Sequence, residues 1–354
     1  MLSLHHSRMS KTSSGVAGLL FSTAMLVAAD GKVARSDGAE LISITRIWDQ
    51  AEHNAFTDLI RVDDRWLCVF REGTKHASPD GAIRVLESRD GQSWTSAAHL
   101  TEPGVDLRDP KTSRMPDGRL MIVAGGSIME NGKYVSRQPR VCFSSDGRKW
   151  SSPQPILGSG HWLWRVTWYQ GKGYGVSYKG GGGMGGPRSA FLFESADGLA
   201  WNQVAELTLP NLSETTLRFR ANGEMIAFGV VVHSSSPQPP VRATGVGVSR
   251  PPYREWTWRE VPYASGGPNF LIEPDGRWIA ATRRFSADMR SADTVLAWLA
   301  KDAVQPFLTL PSGGDTSYAG LVTHEGELWV SFYSSHEGKA AIYLARVRIP
   351  GPRS

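Results

Sequence analysis

Asp109-Pro-Lys-Thr-Ser-Arg-Met-Pro-Asp-Gly-Arg-Leu-Met-Ile-Val123 reads as a hairpin: a polar entry, one strand, a Pro-Asp-Gly turn and a second, apolar strand. The Asp-Gly pair tolerates the positive φ that a tight turn needs. The same pattern recurs at Thr57–Phe70, Arg165–Val176, Glu214–Ala227, Asn269–Ala280 and Tyr318–Val330. Gln170-Gly-Lys-Gly173, Ala221-Asn-Gly223 and His324-Glu-Gly326 serve as turns in three of these copies. The six starts lie roughly 50 residues apart, the length of one four-stranded blade in a radial repeat. No long stretch carries helical periodicity. The sequence therefore predicts an all-β chain, a six-bladed β-propeller with four antiparallel strands per blade.

A second motif sits in register with the first. Ser88-Arg-Asp-Gly-Gln-Ser-Trp94, Ser144-Ser-Asp-Gly-Arg-Lys-Trp150 and Ser195-Ala-Asp-Gly-Leu-Ala-Trp201 share the pattern S-x-D-G-x-x-W. Ser and Asp side chains bond backbone groups inside such a turn, and Gly takes its positive φ. A turn-locking role, on the rim away from the central mouth, is expected in preference to a calcium loop. Ser249–Trp258 reads as a degenerate fourth copy. After Tyr318 only three strands remain, so Leu41–Trp48 is expected to supply the outer strand of the last blade and to close the ring.

The flanking composition sets further bounds. Arg8 and Lys11 precede the apolar run Val16–Ala29, which is short for a membrane span of about 20 residues and fits a cleavable export signal. The expected organisation is a signal peptide at 1–29, a linker at 30–40 and one propeller at 41–350, secreted or periplasmic, monomeric and without stable membrane insertion. Removing Arg8 and Lys11 takes the formal charge from +5 to +3. That excess is small and shows no Lys/Arg run, so no nucleic-acid partner is expected. Cys68 and Cys142 lie in apolar strand-like segments and are expected to be buried free thiols. No CxxC or HExxH motif and no His/Cys cluster at ligand spacing predicts a metal, and no cofactor is expected. The Gly-rich stretch 179–187 contains G-x-G-x-x-G, but no helix follows it, so it reads as a flexible loop rather than a nucleotide site.

Propeller sites lie where inner strands begin and second strands end. Inner-strand starts bring Asp58, Arg108, Asp109, Lys111, Arg165, Glu214, Asn269 and Tyr318 to one mouth; second-strand ends bring Arg71, Glu72, Lys179, Arg283, Arg284 and Tyr333.

The leader, the S-x-D-G-x-x-W turns and the six-fold repeat together resemble the secreted bacterial sialidases, over essentially the whole chain after the leader. The resemblance implies a glycoside hydrolase that releases a terminal acidic sugar, with a Tyr nucleophile activated by a Glu and an Asp as acid/base. A neutral phenol escapes the repulsion that a carboxylate on the anomeric carbon would exert on an attacking Asp or Glu. Gly314-Asp-Thr-Ser-Tyr318 resembles the nucleophile segment and Ser213-Glu214 the base segment. Asp80, in His76-Ala-Ser-Pro-Asp80-Gly, is the closest match to the acid, with Asp58 and Asp109 in reserve. Arg283 or Arg284 matches the third member of the family's carboxylate-binding arginine triad. The other two depart from it: Asn54-Ala-Phe-Thr-Asp58 and Ala227–His233 hold no Arg. Arg71, Arg108 and Arg165 are the expected substitutes, with Lys111, Asp58, Asp109 and Asn269 completing a binding set for an acidic glycan. Two alternatives stand beside this reading. One is a polysaccharide lyase acting beside a uronate through Tyr318, Tyr333, His336 and Arg165; the other is a non-catalytic glycan-binding propeller.

Overall fold

In the computed structural model, residues 38–181, 186–233 and 241–350 are described; the leader at 1–29 and most of the linker lie outside them, as do 182–185 in the Gly-rich stretch. Among the described residues no helix is long and apolar enough to cross a membrane. The chain forms six antiparallel four-stranded sheets in a ring. After β1 (Glu40–Trp48), blade one holds β2 (His53–Val62), β3 (Arg65–Gly73), β4 (Ala82–Ser88) and β5 (Thr95–Leu100). Blade two holds β6 (Val105–Arg114), β7 (Leu120–Glu130), β8 (Lys133–Ser144) and β9 (Gln154–Pro155). Blade three holds β10 (Trp162–Tyr169), β11 (Lys172–Gly180), β12 (Arg188–Ser195) and β13 (Asn202–Leu207). Blade four holds β14 (Leu212–Phe219), β15 (Met225–His233), β16 (Val241–Ser249) and β17 (Thr257–Val261). Blade five holds β18 (Asn269–Ile272), β19 (Trp278–Phe285), β20 (Ala292–Leu299) and β21 (Val304–Thr309). Blade six holds β22 (Thr316–His324), β23 (Glu327–Ser334) and β24 (Ala341–Arg348).

As expected, β1 adds to β24 from Glu40↔Arg348 to Trp48↔Ile342 and completes the sixth blade. Sheets stacked face to face around an axis bury both faces, which is why second strands such as Met225-Ile-Ala-Phe-Gly-Val-Val-Val232 are apolar without alternation. The core accordingly divides into six clusters, one at each blade junction. Cys68 and Cys142 are buried and unpaired within these clusters.

The S-x-D-G-x-x-W turns form tight internal networks. In the first, Ser88 Oγ accepts from the Gly91 N–H at 2.8 Å and donates to Asp90 Oδ1 at 2.9 Å. Asp90 Oδ1 also accepts the N–H groups of Gln92 and Ser93, each at 2.8 Å, and Trp94 Nε1 donates to Gly91 O at 3.2 Å. The copies at Asp146 and Asp197 repeat these bonds. All three follow the third strand, at the end opposite the mouth. In the degenerate fourth copy the ring is supplied by Trp256, not by Trp258: its Nε1 donates to Tyr253 O at 3.1 Å, and Tyr253, at φ 64°, occupies the place of Gly.

Hydrogen bonds from Ser93, Gln92 and Ser88 hold the Asp90 carboxyl down from its ordinary 3.8 to about 2. A depressed folded-state pKa contributes stability above the unfolded value that disappears as pH falls through the folded one. The melting temperature of the wild type should therefore drop more steeply between pH 4 and pH 2 than that of Asp90→Asn; equal slopes would contradict the network's role. Asp146→Ala should cost on the order of 1 kcal/mol in denaturant unfolding for its lost turn bonds.

Candidate active site

The mouth is shaped by one irregularity repeated around the ring. The inner strand of five blades slips register against its second strand at the same place: between Ala55 and Asp58, Arg108 and Lys111, Leu163 and Val166, Leu212 and Thr215, and Ser317 and Gly320. Each slip leaves two residues outside the ladder, and bulges re-aim side chains. The freed pairs are Phe56-Thr57, Asp109-Pro110, Trp164-Arg165, Ser213-Glu214 and Tyr318-Ala319. Phe56, Asp109 and Tyr318 take φ of 63°, 49° and 53°, and Ser317 takes 94°. Such backbone costs on the order of 1–3 kcal/mol per residue and concentrates at functional sites. Blade five lacks the slip and has Gly267 there at φ 59°, where a Cβ would stand 2.5 Å from Tyr318 Cδ2.

Tyr318 and Glu214 meet across the axis. The Tyr318 hydroxyl donates to Glu214 Oε1 at 2.8 Å, and the Gly267 N–H donates to Oε2 at 2.8 Å. The Tyr318 ring is held by Phe56 at 5.1 Å and Trp164 at 5.6 Å between centroids. Two cations lie over it, Arg283 at 5.2 Å and Lys111 Nζ at 5.8 Å. Burial first, and the Glu214 charge second, raise the Tyr318 pKa well above 10.

The other expected residues divide into those facing this pair and those locked elsewhere. Asp109 is buried, Oδ1 has no hydrogen-bond partner among the described residues, and burial raises its pKa against the opposing pull of Arg108 and Lys111. Lys111 donates to Thr57 O at 3.1 Å and lies 5.2 Å over Trp164; burial, then Arg165, brings its pKa down to about 8. Arg108 donates to His76 O at 2.8 Å and lies 5.0 Å over Phe56.

Several members of the expected binding set turn out to brace the fold. Arg71 is fully buried: it binds Asp106 Oδ1 at 2.6 Å, Lys75 O at 2.8 Å and Ser78 Oγ at 3.0 Å, tying down the 74–81 loop. Arg165 donates to Asp58 Oδ2 at 2.8 Å, and Asp58 also accepts the Thr112 N–H, so both form the floor. The Asn269 amide bridges Ala319 O at 3.0 Å and Arg218 at 2.8 Å. Asp80 sits exposed in its loop and accepts from Thr74; burial pushes its pKa up, but hydrogen bonds from Ser78 and Thr74 outweigh this and hold it at about 2. A carboxyl that acidic is ionised at neutral pH and carries no proton to donate. Of the residues named for a lyase, His336 bonds Ser334 Oγ at 2.9 Å and lies against Tyr343, while Tyr333 donates to Asp315.

Asp315 is the residue that sequence reasoning passed over, although it stands in the segment quoted for Tyr318. Its Oδ2 lies 2.9 Å from His53 Nε2 and 2.6 Å from His76 Nδ1, and its Oδ1 takes Tyr333 Oη at 2.6 Å and Arg283 Nη2 at 3.2 Å. His53, His76 and Asp315 are the one group of described residues whose atoms converge closely enough to share a cation. The Arg283 guanidinium already neutralises that carboxylate, which suits a hydrogen-bond network better than a divalent ion. Blade one and the start of blade six bring these residues together from positions up to 262 apart, and no motif marks such a grouping.

No known protein-family profile matches the chain, and no curated protein matches it in sequence. Solved structures match the fold. A protein of unknown function from Dyadobacter fermentans superposes with a TM-score of 0.73 at 18% identity, over 88% of this chain and 100% of that one. The α-L-arabinofuranosidase of Fusarium graminearum, in complex with arabinobiose, gives 0.66 at 14% identity over 87% and 98%. Trypanosoma rangeli sialidase, in complex with an inhibitor, gives 0.62 at 12% identity over 88% of this chain and 60% of that one.

The buried Lys111 generates a pH signature. Its folded-state pKa of about 8 lies below the ordinary 10.5, so holding its charge costs stability below pH 8, and that cost fades as pH rises toward 10.5. Denaturant midpoints should therefore rise between pH 8 and 10 in the wild type relative to Lys111→Met; parallel profiles would show that Lys111 is not a buried ammonium.

Proposed function

We propose that this chain is an exported glycoside hydrolase that cleaves a terminal sugar with retention, using Tyr318 and Glu214 as its nucleophilic couple and Asp109 as its acid/base. The observation that carries this is the 2.8 Å contact from Tyr318 Oη to Glu214 Oε1 at the point where five bulged strands converge. Tyr318 attacks the anomeric carbon as its proton passes to Glu214. Lys111 and Arg283 stabilise the negative charge that develops on the phenolic oxygen. Asp109, whose buried carboxyl favours the protonated form, gives its proton to the departing oxygen and later takes one from the water that releases the sugar. The fold shared with an arabinofuranosidase and a sialidase supports sugar hydrolysis without choosing the sugar.

A second assignment within the same couple has its own support. Arg71, Arg165 and Arg283 are paired with Asp106, Asp58 and Asp315, so each already has a counter-charge to offset against a carboxylate on the anomeric carbon. For a sugar without that carboxylate, the repulsion that favours a phenol vanishes. Glu214 then attacks directly, held by Tyr318 and the Gly267 N–H.

Fluorinated glycosyl fluorides of sialic acid, arabinofuranose and hexuronic acid, followed by peptide mass mapping, separate the two. A label on Tyr318 supports the first assignment and a label on Glu214 the second. Release of no sugar from any substrate, or appearance of ultraviolet-absorbing unsaturated products, would sink the hydrolase. Asp109→Asn should lower kcat/KM by roughly 10²–10⁴-fold for alkyl leaving groups and far less for dinitrophenyl glycosides, which need no proton; an equal loss for both would remove Asp109 from the acid role.

A further inference from the structure

We infer that the sector of the mouth spanning blades two to four is an anion subsite, in which Arg137, Arg188 and Arg242 receive a carboxylate or sulfate ester on the sugar bound at Glu214. The inference takes from the preceding section only that a sugar ring occupies the mouth.

The three arginines come from three blades. Arg137 on β8 pairs with Ser127, Arg188 opens β12 opposite Gly180, and Arg242 on β16 pairs with Val232. All three lie toward the ends of their strands that face the mouth. Arg188 lies against Gly181, where a Cβ would stand 2.6 Å from its Nε. Its Nη1 is buried with no hydrogen-bond partner among the described residues. Arg137 stacks 5.0 Å over Tyr178 and donates to Gly160 O at 3.0 Å and Gly180 O at 2.9 Å. Arg242 lies 5.0 Å over Phe285. The charges that act on Arg188 include Arg242, Glu214 and Arg137, which puts the cluster within electrostatic reach of the reacting pair.

What sets these three arginines apart is that none of them is in a salt bridge, although Asp109 and Glu214 stand on the inner strands of blades two and four. Arg71 on blade one, Arg165 on the inner strand of blade three and Arg283 on blade five each hold a carboxylate. Among the described residues, Arg137, Arg188 and Arg242 form no ion pair, unlike Arg140 on the same strand as Arg137, which pairs with Glu102. Clustered guanidinium groups repel one another, and a buried unpaired donor is unfavourable. A planar or tetrahedral oxyanion relieves both penalties, and it fits the fork of Arg better than any neutral group does.

Calorimetric titration of the Tyr318→Phe/Glu214→Gln protein, which removes the nucleophile of either assignment and so leaves ligands intact, tests this with three probes. They are a galacturonic acid trisaccharide, its carboxyl-reduced counterpart and a sulfated galactose trisaccharide. At least one anionic probe should bind about tenfold or more tighter than the reduced sugar, and which one identifies the anion's source. Arg188→Met should reduce the advantage to under about twofold, with Arg188→Lys intermediate. Should Arg188→Met fail to fold by thermal melting, Arg242→Met carries the comparison. Equal affinity for all three probes, no binding of any, or an undiminished advantage in the arginine variants would overturn the inference. If wild type releases no sugar from any glycoside while the anionic advantage persists, the hydrolase reading falls and the subsite stands.

Discussion

Each inner strand must satisfy its ladder and also fill a narrowing axis, and five of the six meet both demands by slipping one residue of register near the mouth, which leaves two residues outside the ladder. That slip is the constraint on which the rest of the site depends. Without it, strict alternation would send Glu214 or Tyr318 into a blade junction rather than toward the axis. The left-handed backbone at Phe56, Asp109 and Tyr318 is the local cost. It is tolerated because apolar clusters on both sides of every blade hold the strands in place.

The electrostatics of the mouth follow from the same crowding. Charges forced together at low solvent exposure must find partners, and most do so inside the protein: Arg71 with Asp106, Arg165 with Asp58, and Arg283 with Asp315. These buried pairs add little net stability, but breaking one would leave an uncompensated charge. Their effect is to fix the floor and one wall, leaving Asp109, Lys111 and Tyr318 as groups whose protonation is shifted by their surroundings.

The architecture was fully legible because a propeller writes its fold into turns. Pro116-Asp-Gly118 and Ser88–Trp94 each specify local geometry without reference to the rest of the chain, and their repetition counts the blades. The closing role of Leu41–Trp48 followed from counting strands. Strand order also brought Tyr318 and Glu214 to one mouth. Rotamers and partners were not legible. Register puts Arg71 at a second-strand end, but only the fold shows its guanidinium turned back onto Asp106, with Gly73 and Gly81 leaving room for it. Asp80 stands in a loop whose course depends on that same arginine. Asp315 acquires meaning only when His53 and His76 arrive from blade one. In the degenerate turn of blade four, an extra residue and a Tyr in place of Gly hid which Trp would serve.

The pairing of β1 with β24 joins residues as far apart as Glu40 and Arg348, 308 positions along the chain. Loop-closure entropy grows only logarithmically, so in equilibrium terms this distance adds little beyond a shorter closure. Its consequence is temporal. During ribosomal synthesis β1 emerges first and then waits, an unpaired edge, while five blades are made that can each form from neighbouring hairpins. The ring becomes a closed object only when the final strand arrives, so a stalled or clipped chain is left with two open edges rather than one missing blade.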